Sequence, residues 1–211
     1  ASPFPLGQDP GGGAGGRVGP SGGKHAQGVA HHAHRLGIPA TIVMPENTPF
    51  TKVVNTERLG ARVIQSGAGF AEALTCARGL AEAGGGTLVP AFDDPAIIAG
   101  QGTVGLEMLD QVPDLDTVVV PVGGGGLISG IATAVKGRRP DITVIGVNVE
   151  GYTAMAHVLG KAPAPAGGST IAEGIAVLEP GMLTREIVAE LVDDIVVVSE
   201  QRIEGAIALA V

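Results

Sequence analysis

Tryptophan is absent from this sequence, and aromatic residues of all kinds supply only 2% of it. A core without large rings has to be built from Val, Ile, Leu and Ala, and the 45% apolar content is enough for one. Cysteine is used once, at Cys76, so no disulfide can form within the chain. That usage fits a reducing, cytoplasmic setting. Cys76 sits in a helical stretch with no base beside it and reads as a buried structural thiol. Positive charge is scarce: 13 Lys and Arg face 21 Asp and Glu, a formal net charge of −8. Such a surface disfavours nucleic acid and anionic membrane as partners. Long apolar runs are missing too. None approaches the roughly 18–20 residues of a membrane-spanning helix, and no secretory leader pattern is visible.

Glycine and proline are abundant, at 35 and 15 residues, and unevenly spread. Residues 1–20 carry much of the excess and leave little to bury, so they are expected to be a disordered linker. Ser21 to Gly37 reads as a helix entered through Ser21 and the glycines and stopped at Gly37, with Val29, Ala33 and Leu36 as its apolar stripe. Four of the five histidines lie here, at 25, 31, 32 and 34. No i, i+4 pair with a carboxylate or thiol accompanies them, so His31, His32 and His34 read as solvated surface rather than metal ligands. His25 differs in lying beside the glycines of the first turn.

From there strands and helices alternate. Strands are expected at 38–44, 61–65, 87–91, 117–122, 142–149 and 195–198, and helices at 51–59, 70–83 (Leu74 and Leu80 inward), 96–109, 127–136, 151–159 and 180–192. A last helix is capped by Ser199. Repeated β-α alternation with short loops is the pattern of parallel sheets covered by helices, an α/β fold. We expect a small unit at 21–95 with three strands and a larger one at 96–211.

Within the larger unit, Thr117 to Val122 reads as a fully buried strand. Four glycines follow, Gly123, Gly124, Gly125 and Gly126, and then Leu127, Ile131 and Val135 at helical spacing. Strand, glycine loop and helix start together can cradle an anion, because residues without Cβ allow close approach and the helix end offers N–H groups. The alternative is a tight turn between packed elements, for which one glycine would serve.

The segments SGGKHAQGVA, ATIVMPENTP, LGARVI, FDDPAIIAGQGT, PVGGGGLISGIA, VIGVNVEG and TIAEGIAV, in this order, resemble the fold-type II pyridoxal-phosphate enzymes. Among these the resemblance is closest to the threonine/serine dehydratases (ammonia-lyases). It covers Ser21 to Val211, with no counterpart for residues 1–20, and implies two doubly wound α/β units of the tryptophan synthase β-like architecture. It further implies pyridoxal 5′-phosphate as cofactor, an amino acid as substrate, a homo-oligomer, and conversion of threonine to 2-oxobutanoate and ammonia, a step toward isoleucine. Threonine synthase, cysteine synthase and a non-catalytic remnant are the alternatives.

By the same resemblance, Gly123, Gly124, Gly125 and Gly126 hold the cofactor phosphate, with Leu127 adding its backbone. Ser21, Gly22, Gly23 and His25 form the loop for the substrate carboxylate. Lys24 stands where the family has an Asn that bonds the cofactor's ring hydroxyl, and Lys is a donor only. Glu173 is expected to shape the cofactor cleft. Relatives that racemise serine carry a second hydroxyl where this chain has Gly22. Some members bind a divalent cation through a Glu at the Glu150 position, a carbonyl near Ala154 and an Asp where this chain has Ala156, so no metal site is expected. The family's Schiff-base lysine belongs upstream of Ser21, and residues 1–20 contain no lysine. No catalytic residue is therefore assigned, and the chain resembles the middle of such an enzyme.

Overall fold

The structure, a computed structural model, describes residues 16–21 and 23–210. It divides into two compact units, one ending at Ala91 and the other Phe92–Val211, a boundary slightly earlier than the expected 95/96. Among the described residues, every pairing between strands within each of the two sheets is parallel. Among the described residues, no helix is long and apolar enough to cross a membrane.

The first unit carries β1 (Arg17–Pro20), α1 (Lys24–Arg35), β2 (Ala40–Met44), α2 (Phe50–Arg58), β3 (Arg62–Gln65), α3 (Phe70–Gly84) and β4 (Thr87–Leu88). Among the described residues its sheet has four strands in the order β3-β2-β1-β4, one more than expected. The extra strand corrects the reading of residues 1–20 as linker. Arg17 to Pro20 are buried between β2 and β4, in register Arg17 to Ala40 and Arg17 to Thr87. Hydrogen bonds on both sides compensate for the short apolar content, and the Arg17 guanidinium also donates to Thr87 Oγ1 at 2.8 Å. Pro20 is tolerated because its position faces the β4 side, where the pairing ends at Val18 and no ladder bond needs its missing N–H. The remainder of that expectation, residues 1–15, lies outside the described residues.

Against this sheet α3 packs small side chains, Ala73, Ala77 and Ala81, over Val18 and Val43. The expected inward face was wrong at Leu80, which is 37% exposed. Cys76 is half-buried at the edge of the same cluster. On α1 the buried face is Ala26, Val29, Ala30 and Ala33. Leu36, expected in that stripe, is 62% exposed, because it lies one residue past Arg35, where the helix has ended. Gly37 follows at φ +66°, the left-handed geometry of a helix stop.

The second unit runs α4 (Pro95–Gln111), β5 (Thr117–Pro121), α5 (Gly126–Arg138), β6 (Thr143–Val149), α6 (Ala154–Val158), a short 3-10 turn at Glu173–Ile175, α7 (Met182–Leu191), β7 (Asp194–Val198) and α8 (Glu200–Ala210). The sheet order is β5-β6-β7. Val118, Val120, Val122, Ile128, Ile131, Val135 and Val144 make its core. β5 is not fully buried as expected: it alternates, with Val118 and Val120 inside and Val119 61% exposed. An edge strand covered on one face needs only every second side chain to be buried.

Glycines bring α4 and α5 together. A Cβ on Gly102 would lie 3.1 Å from the Gly130 carbonyl oxygen, and one on Gly105 would lie 3.1 Å from the Ile131 carbonyl oxygen. The GQG within FDDPAIIAGQGT is thus a helix-packing feature. At the start of α4, Asp94 accepts from the N–H groups of Ala96 (2.8 Å) and Ile97 (3.2 Å), ahead of Pro95 in the first turn.

Candidate functional site

Both loops singled out in the sequence follow the carboxyl end of a parallel strand and lead into a helix. Open α/β sheets place their ligands at such ends. Ser21–His25 does so in the first unit, between β1 and α1. Gly123–Leu127 does so in the second, between β5 and α5, and that unit also holds Glu173.

In the first loop Ser21 is buried, its N–H bonded to the Val43 carbonyl at 3.0 Å. Its Oγ accepts from Gly23 N–H at 3.1 Å. Gly22 lies outside the described residues. Gly23 has open space where a Cβ would be, and Lys24, the first residue of α1, is exposed. His25 is tied back into the sheet, its Nε2 3.0 Å from the Val89 carbonyl oxygen. A carbonyl only accepts, so Nε2 carries the proton and Nδ1 keeps the lone pair. The ring covers Gly19, whose missing Cβ leaves room for it. Burial pushes the His25 imidazole below its ordinary value, offset only in part by the bond to Val89.

A pH dependence with a definite sign follows. The unfolded chain takes up a proton at His25 near pH 6.5, before the folded chain does. Stability therefore falls as pH drops from about 6.5 toward the lowered folded value, and is level for this group above that window. Urea midpoints between pH 7.5 and 5 should fall more steeply in the native chain than in His25→Gln, whose amide keeps a donor that does not titrate. Parallel profiles would contradict the assignment.

His31 and His34 are exposed, and the rings of His31 and His32 meet edge to face at 5.1 Å. Among the described residues no group of three or more His, Cys, Asp or Glu could hold a metal ion.

The second loop is pressed against protein on its inner side. A Cβ on Gly124 would overlap the Phe92 ring, and one on Gly126 would come within 2.9 Å of Phe92 Cβ. On Gly123 it would lie 3.0 Å from Ile175 Cα, so the chain just past Glu173 borders the loop. Glu173 itself is exposed. Gly125 sits at φ +96°, a conformation that favours glycine. The Gly124 carbonyl is turned inward and accepts from Thr184 Oγ1 at 2.7 Å and from Gly181 N–H at 3.2 Å. Asn148, fully buried on β6, fixes the approach: its Nδ2 donates to the Val122 carbonyl at 2.7 Å and its Oδ1 accepts from Ala156 N–H at 3.0 Å.

The first intrahelical bond of α5 is from Ser129 N–H to Gly125 O, at 2.9 Å. The N–H groups of Gly126, Leu127 and Ile128 therefore have no acceptor within their own helix. Backbone donors at a helix start, on a run without side chains, with the nearest carbonyl turned away, fit a phosphate monoester. Sequence reasoning missed Asp93, Thr184 and Asn148, the residues that set this loop's posture. Asp94 has a local signal in the Asp-Pro that opens α4. The other three act across the fold and have none.

Pyridoxal-phosphate dependent enzymes, as a family, match this chain over residues 8–211, and the chain belongs to that family. The match begins ahead of Ser21, so residues 8–20 have family counterparts, contrary to expectation. Among solved structures, maize serine racemase superposes with a TM-score of 0.86 at 38% identity, over 92% of this chain and 60% of that one. The processed threonine deaminase isoform 2 of Solanum lycopersicum gives 0.80 at 41% identity, over 88% and 55%. The fold is that of the fold-type II enzymes. The L-threonine ammonia-lyase of Thermotoga maritima is 50% identical over 194 residues, which are 91% of this chain and 48% of that protein. The chain spans about half the length of the curated relatives it matches.

Proposed function

We propose that this chain supplies the cofactor-phosphate loop and the substrate-carboxylate loop of a pyridoxal-phosphate dependent L-threonine ammonia-lyase. The observation that carries the reading is the Gly123–Leu127 loop, with its carbonyl drawn inward to Thr184 and the first-turn N–H groups of α5 beside it. Half-identity to an L-threonine ammonia-lyase over most of the chain supports the choice of reaction. Bound there, pyridoxal phosphate supplies an electron sink for negative charge at the substrate's α-carbon.

The chain's own residues then have separable tasks. Gly123 to Leu127 hold the phosphate through backbone N–H groups. Ser21, Gly22, Gly23 and His25 form the loop that receives the substrate carboxylate at the start of α1, where the helix end favours negative charge. Lys24 offers a donor toward the cofactor's ring oxygen, and Glu173 shapes the cleft beside the glycine loop. Gly22 has no hydroxyl, which favours elimination over racemisation. The amine that joins the cofactor's aldehyde is assigned to no lysine here. The same reading makes the enzyme cytoplasmic and homo-oligomeric, with a 2-oxo acid product that serves isoleucine synthesis.

Titration with pyridoxal phosphate and with pyridoxal, followed by absorbance, tests the loop. The phosphate ester is expected to bind at least about tenfold more tightly, the worth of one or two charge-assisted hydrogen bonds. Equal affinities would remove the phosphate role. Borohydride and peptide mapping then report which amine the aldehyde reaches, and no lysine of this chain is expected to carry the label. A chain that only binds, without turnover, releases no ammonia from L-threonine. Ammonia release by this chain alone would exclude that competing reading.

A further inference from the structure

One carboxylate holds the start of α7. Asp93 Oδ2 accepts from Met182 N–H at 2.9 Å, and Oδ1 from Leu183 N–H at 2.9 Å and Thr184 N–H at 3.2 Å. Three of the N–H groups that a helix leaves without internal partners are thereby satisfied by a residue about ninety positions earlier, where the helix end also favours negative charge. Gly181, just before α7, has no room for a Cβ because the Asp93 carboxylate fills that place. The helix cannot slide or turn about its axis without breaking these bonds.

The third residue of α7 is Thr184, fully buried, and its hydroxyl donates to the Gly124 carbonyl. The Thr184 carbonyl in turn accepts from Ser129 Oγ on α5 at 3.3 Å. A planar trans peptide points its C=O and N–H in opposite directions. Drawing the Gly124 oxygen toward Thr184 therefore turns the Gly125 N–H away from α7. Without that bond, the Gly124 oxygen keeps only the longer bond from Gly181 N–H at 3.2 Å, and an all-glycine peptide held so weakly can rotate and bring a carbonyl oxygen to the side where an anion would sit.

We propose that Asp93 and Thr184 are positioning residues for the phosphate: Asp93 fixes the register of α7, and Thr184 transmits it to the 124–125 peptide. This rests on the reading of Gly123–Leu127 as the phosphate loop. Phe92 adds a second restraint from the same dipeptide, its ring lying where Gly124 would otherwise carry a Cβ.

The test is the ratio of affinities for pyridoxal phosphate and pyridoxal, measured on the whole chain. A general loss of structure weakens both ligands, whereas loss of loop posture lowers the ratio. Thr184→Val keeps the shape and removes the hydroxyl, and the ratio is expected to fall about tenfold, with Thr184→Ser restoring it. Asp93→Asn, which puts an NH2 donor against backbone N–H groups, is expected to lower it in the same direction. It also supplies the test should valine at 184 prevent folding. An unchanged ratio in either variant, with the native chain still preferring the phosphate ester, overturns the proposal. A native chain with no such preference fails the phosphate-loop reading itself, a separate result.

Discussion

Gly130→Ala is expected to destabilise the Phe92–Val211 unit by about 2–3 kcal/mol, although alanine is the better helix former. In an exposed helix interior the change would gain about 1 kcal/mol. Here the added Cβ would lie 2.6 Å from Gly102 N and 2.8 Å from Gln101 Cβ, and would overlap the Ile98 carbonyl oxygen. Two of those atoms are backbone of α4, which cannot turn aside as a side chain can. Relief requires the two helices to separate, opening space around Ile97 and Ile98, both buried. Overpacking of this kind costs typically 1–3 kcal/mol and more where backbone must move. A urea midpoint shifted upward relative to the native chain would show that the helices are not in close contact.

The second large effect is expected at Gly125. Gly125→Ala places a side chain at φ +96°, at a cost of about 1–2 kcal/mol. The new Cβ would also lie 2.5 Å from Met155 Cε and 2.8 Å from Thr184 Oγ1, both in fully buried side chains. Met155 can shift its terminal methyl, but Thr184 is held by its bonds to Asp93 and Gly124. The sum is about 2–4 kcal/mol of stability, together with loss of pyridoxal phosphate binding as the loop is pushed off α7. Calorimetry and ligand absorbance on the same sample separate the two. Gly137→Ala is the useful contrast, since Gly137 lies within α5 with open space around its missing Cβ. Stability at least that of the native chain and native phosphate binding are expected there.

These contrasts bear on how far the sequence alone could be read. Helix and strand order, and the glycine loop at a helix start, are visible because periodicity and runs of glycine are local signals. β1 was invisible for the opposite reason. Four residues between glycine and serine carry a single aliphatic side chain, Val18, and their strand character comes from β2 and β4 on either side. The buried face of α3 was misjudged because three alanines, rather than its leucines, face the sheet. Small residues allow close approach, and hydrophobicity alone does not rank them. The glycine loop was legible as backbone and its supports were not: Asp93, Thr184 and Asn148 act over separations of 26 to 91 positions, where no spacing rule operates.

The order β3-β2-β1-β4 also sets a schedule for folding. β4 is two residues long and, among the described residues, pairs only with β1, seventy positions earlier. β2 and β3 can zip together soon after synthesis, whereas the fourth strand has to wait for a long loop to close around α1, α2 and α3. Until then one edge of β1 offers unpaired N–H and C=O groups to any strand nearby. Because the loop-closure cost falls on that last pairing, it should be the slow step of the unit and the first to open. The His25–Val89 bond lies one residue beyond β4. The group that anchors the Ser21–His25 loop is thus also a clasp on the last strand to arrive.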